Sequence, residues 1–129
     1  VRPLIDVELS WLAAYTDGEG YMDLDTSARV VWTATHRPTL EYIQSLVGGK
    51  FRTLAKQATQ RKPRYQVTLT GPRARTVLAQ VLPWLREKKP QAELILSYVP
   101  GRPGRRDDAR LAQKADIRRR LKELRHAPS

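Results

Sequence analysis

The chain has 129 residues, with 24 Lys and Arg against 13 Asp and Glu, a formal charge of +11 and no cysteine, and its pI is about 10.6. That length suits one domain with a single modest core, and the charge favours a polyanionic partner, nucleic acid first, over an acidic small molecule. The missing cysteines exclude disulfides, Cys-type zinc sites and thiol nucleophiles; no apolar run approaches the roughly 18 to 20 residues that span a bilayer, and the start at Val1-Arg2-Pro3 has no signal-peptide core, so the expected location is intracellular with no membrane partner.

In chain order, Leu9 to Asp17 carries an apolar helical pattern that runs into two acids interleaved with glycines, Asp17-Gly18-Glu19-Gly20. Tyr21 to Asp25 alternates as a half-buried strand does, with Met22 and Leu24 inward and Tyr21, Asp23 and Asp25 outward. A turn at Thr26-Ser27 leads to a hairpin partner, Arg29 to Thr35, with Val30, Trp32 and Ala34 inward. Thr39 to Val47 forms a second helix, with Leu40, Ile43 and Val47 at helical spacing, and Gly48-Gly49 stops it.

A second hairpin pairs Lys50 to Ala58 with Arg64 to Thr70. Phe51, Thr53 and Ala55, then Tyr65, Val67 and Leu69, occupy one face; Lys50, Arg52, Leu54, Lys56, Arg64, Gln66, Thr68 and Thr70 occupy the other. Gly71-Pro72 opens a third helix, since proline tolerates the first turn, with an apolar stripe of Val77, Leu78, Val81 and Leu82. After the connector Trp84 to Lys89, Pro90 starts a further helix with Leu94, Ile95 and Tyr98 inward. From Gly101 onward ten Lys and Arg against four acids supply +6 of the +11; a linker precedes a last helix, capped by Asp107 or Asp108 and running to about Arg125, with Ile117, Leu121 and Leu124 as its weak apolar stripe.

Acids at a helix C-terminus meet the negative end of the dipole and its unpaired carbonyls, a local cost of about 0.3 to 1 kcal/mol each. A cost with no structural return marks a functional site, and gathered negative potential attracts a divalent cation. An ordinary helix cap followed by a turn is the plainer alternative.

The run Leu12-Ala13-Ala14-Tyr15-Thr16-Asp17-Gly18-Glu19-Gly20 resembles the signature of the LAGLIDADG homing endonucleases, with Ala14 where that family usually has Gly and Thr16 where it usually has an apolar residue. Leu82-Pro83-Trp84-Leu85-Arg86-Glu87-Lys88-Lys89-Pro90-Gln91-Ala92 is similar to the family's segment that brings a lysine to the active site. The likeness covers roughly Leu9 to Val99. It implies an α+β fold in the order αββαββα, an antiparallel saddle of strands backed by helices, over residues 1–100, with residues 101–129 adding a basic linker and an extra C-terminal helix.

It also implies a metal-dependent, site-specific endonuclease, of the kind tied to intron or intein mobility, that cuts long, roughly palindromic double-stranded DNA to leave short 3′ overhangs. The resemblance makes Glu19 the metal-binding catalytic acid, with the Gly18 backbone carbonyl as a further metal donor, and Lys88 the catalytic lysine; it gives Asp17 to support of the turn more than to the metal, for which Asp17 is a secondary donor. Mg²⁺ is the implied cofactor, with Mn²⁺ as a substitute and Ca²⁺ binding without cleavage. One motif per chain implies a homodimer, with Leu9, Leu12, Ala13 and Thr16 expected at the interface. The polar sheet face and its loop nominate Tyr21, Asp23, Asp25, Arg29, Lys50, Arg52, Lys56, Arg61, Lys62, Arg64, Gln66 and Thr68 for DNA contact, since Arg and Gln suit guanine and adenine edges; Asp23 and Asp25 repel phosphate and would accept from cytosine amino groups or face solvent. Thr33, Thr35 and His36 are candidates to position water. The competing readings are a non-cleaving DNA-binding regulator or RNA-splicing maturase on the same fold, and a monomeric RNA- or ribosome-binding domain.

Overall fold

The computed structural model describes residues 2–54, 62–100 and 107–126. Helix α1, Asp6–Glu19, starts three residues earlier than the apolar periodicity indicates. The cause is Glu8, which accepts the free Ile5 N–H at 3.1 Å and pairs with Arg2. At the other end Gly18 stays helical, and it is Gly20, extended at φ −86°, that caps the helix. A Cβ on Gly20 would lie 2.8 Å from the Thr16 Cγ2, so only glycine lets the chain leave the helix so closely.

Strands β1 (Gly20–Leu24) and β2 (Ala28–Ala34) pair antiparallel around the Thr26-Ser27 turn. Helix α2 (Arg37–Val47) follows and ends at Gly48, whose φ is +75°. Strands β3 (Lys50–Leu54) and β4 (Arg64–Thr70) form the second hairpin. The expected extension of β3 to residue 58 falls outside the described residues, as do Lys56, Arg61 and the 101–106 linker. The order β1-β2-β4-β3 makes β2 and β4 the antiparallel centre of a four-stranded sheet, and two similar helix-plus-hairpin units thereby form one surface.

Helix α3 (Gly71–Val81) runs into a single 3-10 turn, Leu82–Trp84; α4 (Lys89–Ser97) and α5 (Asp108–His126) complete the chain. The expected alternation holds in β1, β2 and β4, where Met22, Leu24, Val30, Trp32, Val67 and Leu69 are buried beneath α1, α2 and α3; in β3, an edge strand, Phe51 is half-buried but Thr53 is exposed and Leu54 half-buried. The α+β arrangement in the order αββαββα implied by the sequence is the observed one, with helices backing one side of the sheet. α5 packs on α4 and on β1, and its Ile117 and Leu121 join the common core while Leu124 stays exposed. No helix among the described residues is long and apolar enough to cross a membrane.

A buried polar chain locks α1 to the sheet. The Trp32 indole N–H donates to the Thr16 hydroxyl at 3.0 Å, and that hydroxyl donates to the Leu12 carbonyl at 2.6 Å. Thr16, a departure from the expected apolar residue, is there to satisfy an indole that is itself only 1% exposed.

Candidate active site and nucleic-acid interface

The C-terminal end of α1 leaves four carbonyls without helical partners. Two are claimed: the Thr16 carbonyl by the Gly20 N–H, and the Asp17 carbonyl by the Lys88 Nζ at 2.7 Å. Those of Gly18 and Glu19 remain at the exposed end of the helix. The Glu19 side chain is exposed too and has no hydrogen-bond or ion-pair partner among the described residues. Its charge, after burial, helps hold the Tyr15 hydroxyl above the ordinary tyrosine range.

The Asp17 carboxylate has a supporting task within the chain. Its Oδ2 accepts the Arg86 N–H and its Oδ1 the Lys88 N–H, both at 2.9 Å. Each oxygen thus accepts one N–H of the loop before α4, which is pinned from the other side by the buried Leu85. The result is a half-buried Lys88 whose ammonium is delivered to the same helix end as Glu19. One of its three donors is used by Asp17, leaving two for an incoming oxygen.

Hard oxygen donors at a helix end suit Mg²⁺ or Ca²⁺. Glu19 and the Gly18 carbonyl fit such an ion, but the described residues of one chain contain no cluster of three side-chain ligands. A metal here would complete its shell with water, substrate oxygens or groups of a second chain.

The sheet face away from the helices carries cross-strand rows set by register. Asp23, Arg29 and Thr70 form one row, and Tyr21, Val31, Thr68 and Lys50 the next. In the third, the Arg52 guanidinium donates to the Gln66 Oε1 at 2.9 Å, and the Gln66 amide to the Thr33 hydroxyl at 3.4 Å. Thr33 follows Trp32, the partner of Gly20, so this chain of hydrogen bonds starts at the end of the sheet where α1 delivers Glu19. Lys50, Arg52, Lys62 and Arg64 are exposed, and Gln66 and Thr68 are half-buried. Asp25 is exposed past the end of β1, whereas Asp23 is held by Arg29. His36 hydrogen-bonds Thr39 through Nδ1 at 2.7 Å, at the exposed start of α2.

Helix α5 flanks the free edge of β1. Lys114 donates to the Thr26 carbonyl, and Arg125 donates to the Met22 carbonyl and lies 4.5 Å over the Tyr21 ring. Arg118 and Lys122 stand between them on the same stripe, exposed, so a basic ridge borders the open sheet face. Sequence reasoning assigned Arg125 nothing, because its partners are over a hundred residues away. Arg37, also missed, lies over Phe51 and Tyr65 at 5.4 and 5.5 Å.

The expected dimer residues require correction. Leu12, Ala13 and Thr16 are at most 1% exposed and are buried in the chain's own core, and Leu9 packs partly against it, so this face of α1 is not available to a second chain. The opposite face carries Val7, Trp11, Ala14, Tyr15 and Gly18, all exposed or half-exposed. Trp11 stacks on Tyr15 at 5.3 Å and meets the exposed Tyr42 edge-on at 5.0 Å. A Cβ at Gly18 would meet nothing within 4 Å; this chain's own packing does not require glycine there.

No family model and no curated relative matches the sequence. Solved structures do. The homing endonuclease I-CvuI, in complex with the I-CreI target in the presence of 2 mM Mg with the DNA not cleaved, is 24% identical, covers 95% of this chain and 85% of its own, and superposes with a TM-score of 0.73. I-CvuI with its own target and 2 mM Ca is 23% identical over the same shares of both chains, with a TM-score of 0.73. The archaeal intron-encoded homing endonuclease I-Vdi141I, complexed with DNA, is 14% identical over 96% of this chain and 87% of its own, with a TM-score of 0.74. The chain has the homing-endonuclease fold.

Proposed function

We propose that this protein is a divalent-metal-dependent, site-specific DNA endonuclease acting as a homodimer, with a long, roughly palindromic duplex as substrate and short 3′ overhangs as product. The observation that carries the proposal is the meeting, at one end of an open basic sheet face, of an unpartnered Glu19 carboxylate with a Lys88 ammonium that Asp17 has clamped in place. A protein that only bound DNA would gain nothing from an exposed acid beside phosphate. The DNA and the divalent ions in the neighbouring structures agree with this reading.

The sheet binds the duplex, with Arg29, Lys50, Arg52, Lys62, Arg64, Gln66 and Thr68 facing the groove, and the α5 ridge lies outside it against the backbone. A twisted β-ribbon fits the major groove. Glu19 and the Gly18 carbonyl would hold the metal, Mg²⁺ in the working enzyme, together with substrate oxygens and the Glu19 of a second copy. When bound, such ions stabilise the attacking and leaving oxygens of an in-line displacement. Lys88 places its two free N–H donors against a non-bridging phosphate oxygen, offsetting charge that grows as the bond to phosphorus forms. The dimer forms through the Val7, Trp11, Ala14, Tyr15 and Gly18 face of α1. A helical glycine costs about 1 kcal/mol relative to alanine, and close approach of a second helix is what would repay it at Gly18. Two copies then hold two Glu19 side chains side by side, one cut per strand.

The decisive experiment selects cleaved sites from a randomised duplex library and repeats the cleavage with Glu19→Gln. Expected are a symmetric target and Mg²⁺-dependent cutting that Glu19→Gln abolishes while specific binding persists. Cutting by Glu19→Gln at the wild-type rate would sink the assignment. Specific duplex binding with no cleavage in Mg²⁺ or Mn²⁺ would favour the non-cleaving regulator or maturase.

A further inference from the structure

Resting on the reading of the open sheet as a DNA surface, the geometry points to Asp23 and Arg29 as a single base-reading unit. In that unit Asp23 is the positioning residue and Arg29 reads guanine in the major groove.

The two residues face each other across the β1–β2 ladder. The Arg29 Nε donates to Asp23 Oδ1 at 3.0 Å and its Nη2 to Oδ2 at 2.6 Å. This two-point contact fixes the plane of the guanidinium as well as its position. Of five N–H donors, two are spent on the carboxylate, and the remaining three have no partner among the described residues. One Nη1 and one Nη2 hydrogen lie parallel on the edge turned away from Asp23. That paired edge matches guanine O6 and N7.

The exposures suit the division of labour. The Asp23 side chain is 16% exposed and the Arg29 side chain 39%, so the acid sits beneath and the cation reaches outward. Charge argues the same way: Arg29 is neutralised by its partner, which weakens its pull on phosphate but leaves the geometry of its outer edge intact. The other open-face arginine with a described partner, Arg52, is held by the neutral Gln66 amide and keeps its full charge. An ion pair whose only task was to pin the hairpin would bring about 0.2 to 1 kcal/mol, and an uncharged cross-strand pair serves that purpose without placing a carboxylate opposite DNA. Asp25, the neighbouring acid, is exposed and forms no such contact.

The unit belongs to the outermost row, beside Thr70, four residues along β1 from Glu19. That is about 13 Å at strand rise, so the recognised base pair lies several steps from the cut.

The test is binding-site selection from randomised duplexes, without cleavage, for the wild type, Arg29→Ala, Arg29→Lys and Asp23→Ala, with thermal melting to confirm that each variant folds. The wild type is expected to prefer guanine by about 10- to 100-fold at one symmetric pair of positions. Arg29→Lys keeps the charge but lacks the fork; it and Arg29→Ala should lose that preference and no other. Asp23→Ala should weaken the preference and steepen the salt dependence of binding by about one phosphate contact as Arg29 is released. Folded Arg29 variants that select the same bases as the wild type would overturn the unit, and an Asp23→Ala variant with undiminished guanine preference would overturn the role of Asp23. A wild type that selects no duplex would instead overturn the DNA reading beneath it.

Discussion

Asp17 grips Lys88 twice: its carboxylate Oδ1 accepts the Lys88 backbone N–H at 2.9 Å, and its carbonyl accepts the Lys88 Nζ at 2.7 Å. A residue at the end of the first helix thereby fixes the backbone and the head of a lysine seventy-one positions later. Asp17→Ala should release the loop and lower kcat by about 100-fold, the scale of losing one placed donor, with DNA affinity unchanged. Lys88→Ala should give a loss of similar size, and the double variant no more than the larger single one. Single-turnover cleavage alongside equilibrium binding reads both quantities; additive losses would separate the two residues.

The exposed face of α1 makes the oligomeric state testable by charge. Ala14→Glu places a carboxylate among Trp11, Tyr15 and Gly18 without touching the core. The expected result is a folded monomer by light scattering that has lost double-strand cleavage. A variant that stays dimeric would move the interface elsewhere.

Thr16→Val keeps the side-chain shape and removes the acceptor for the Trp32 indole N–H. A buried donor left unsatisfied costs about 1 to 3 kcal/mol. Melting should fall by several degrees with Glu19 chemistry intact, as measured by calorimetry and cleavage at a permissive temperature.

The Glu8 carboxyl lies at about 2, below its usual 4.5, because the Arg2 guanidinium and the Ile5 N–H hydrogen-bond its charged form. A folded-state value below the unfolded one gives stability that is present above pH 4.5 and lost as pH falls toward 2. Acid titration of melting should show this loss in the wild type and a shallower one in Glu8→Gln, whose neutral amide no longer titrates.

Strand polarity was legible because alternation is local: Met22 and Leu24, or Val67 and Leu69, announce their side within four residues. The metal candidate Glu19 was legible for a similar reason, as an acid that helix electrostatics disfavours. The clamp that Asp17 sets on Arg86 and Lys88 was not, since those partners are remote in sequence and an acid beside a glycine looks alike whether it binds a loop or an ion. Asp23 looked misplaced on a basic surface until register set it opposite Arg29.

By itself the amino-acid sequence determined the order of helices and strands, the inward side of β1, β2 and β4 and the place of the Glu19 carboxylate, because these follow from periods of two and 3.6 residues and from neighbours along the chain. Only the tertiary structure decided which face of α1 is buried. That helix is apolar nearly all round, with Val7, Trp11 and Tyr15 on one side and Leu9, Leu12 and Ala13 on the other, so periodicity cannot choose between them. The choice falls to the Trp32 indole, which needs an acceptor and finds it in the Thr16 hydroxyl. This turns Leu12, Ala13 and Thr16 into the core and leaves the opposite face exposed.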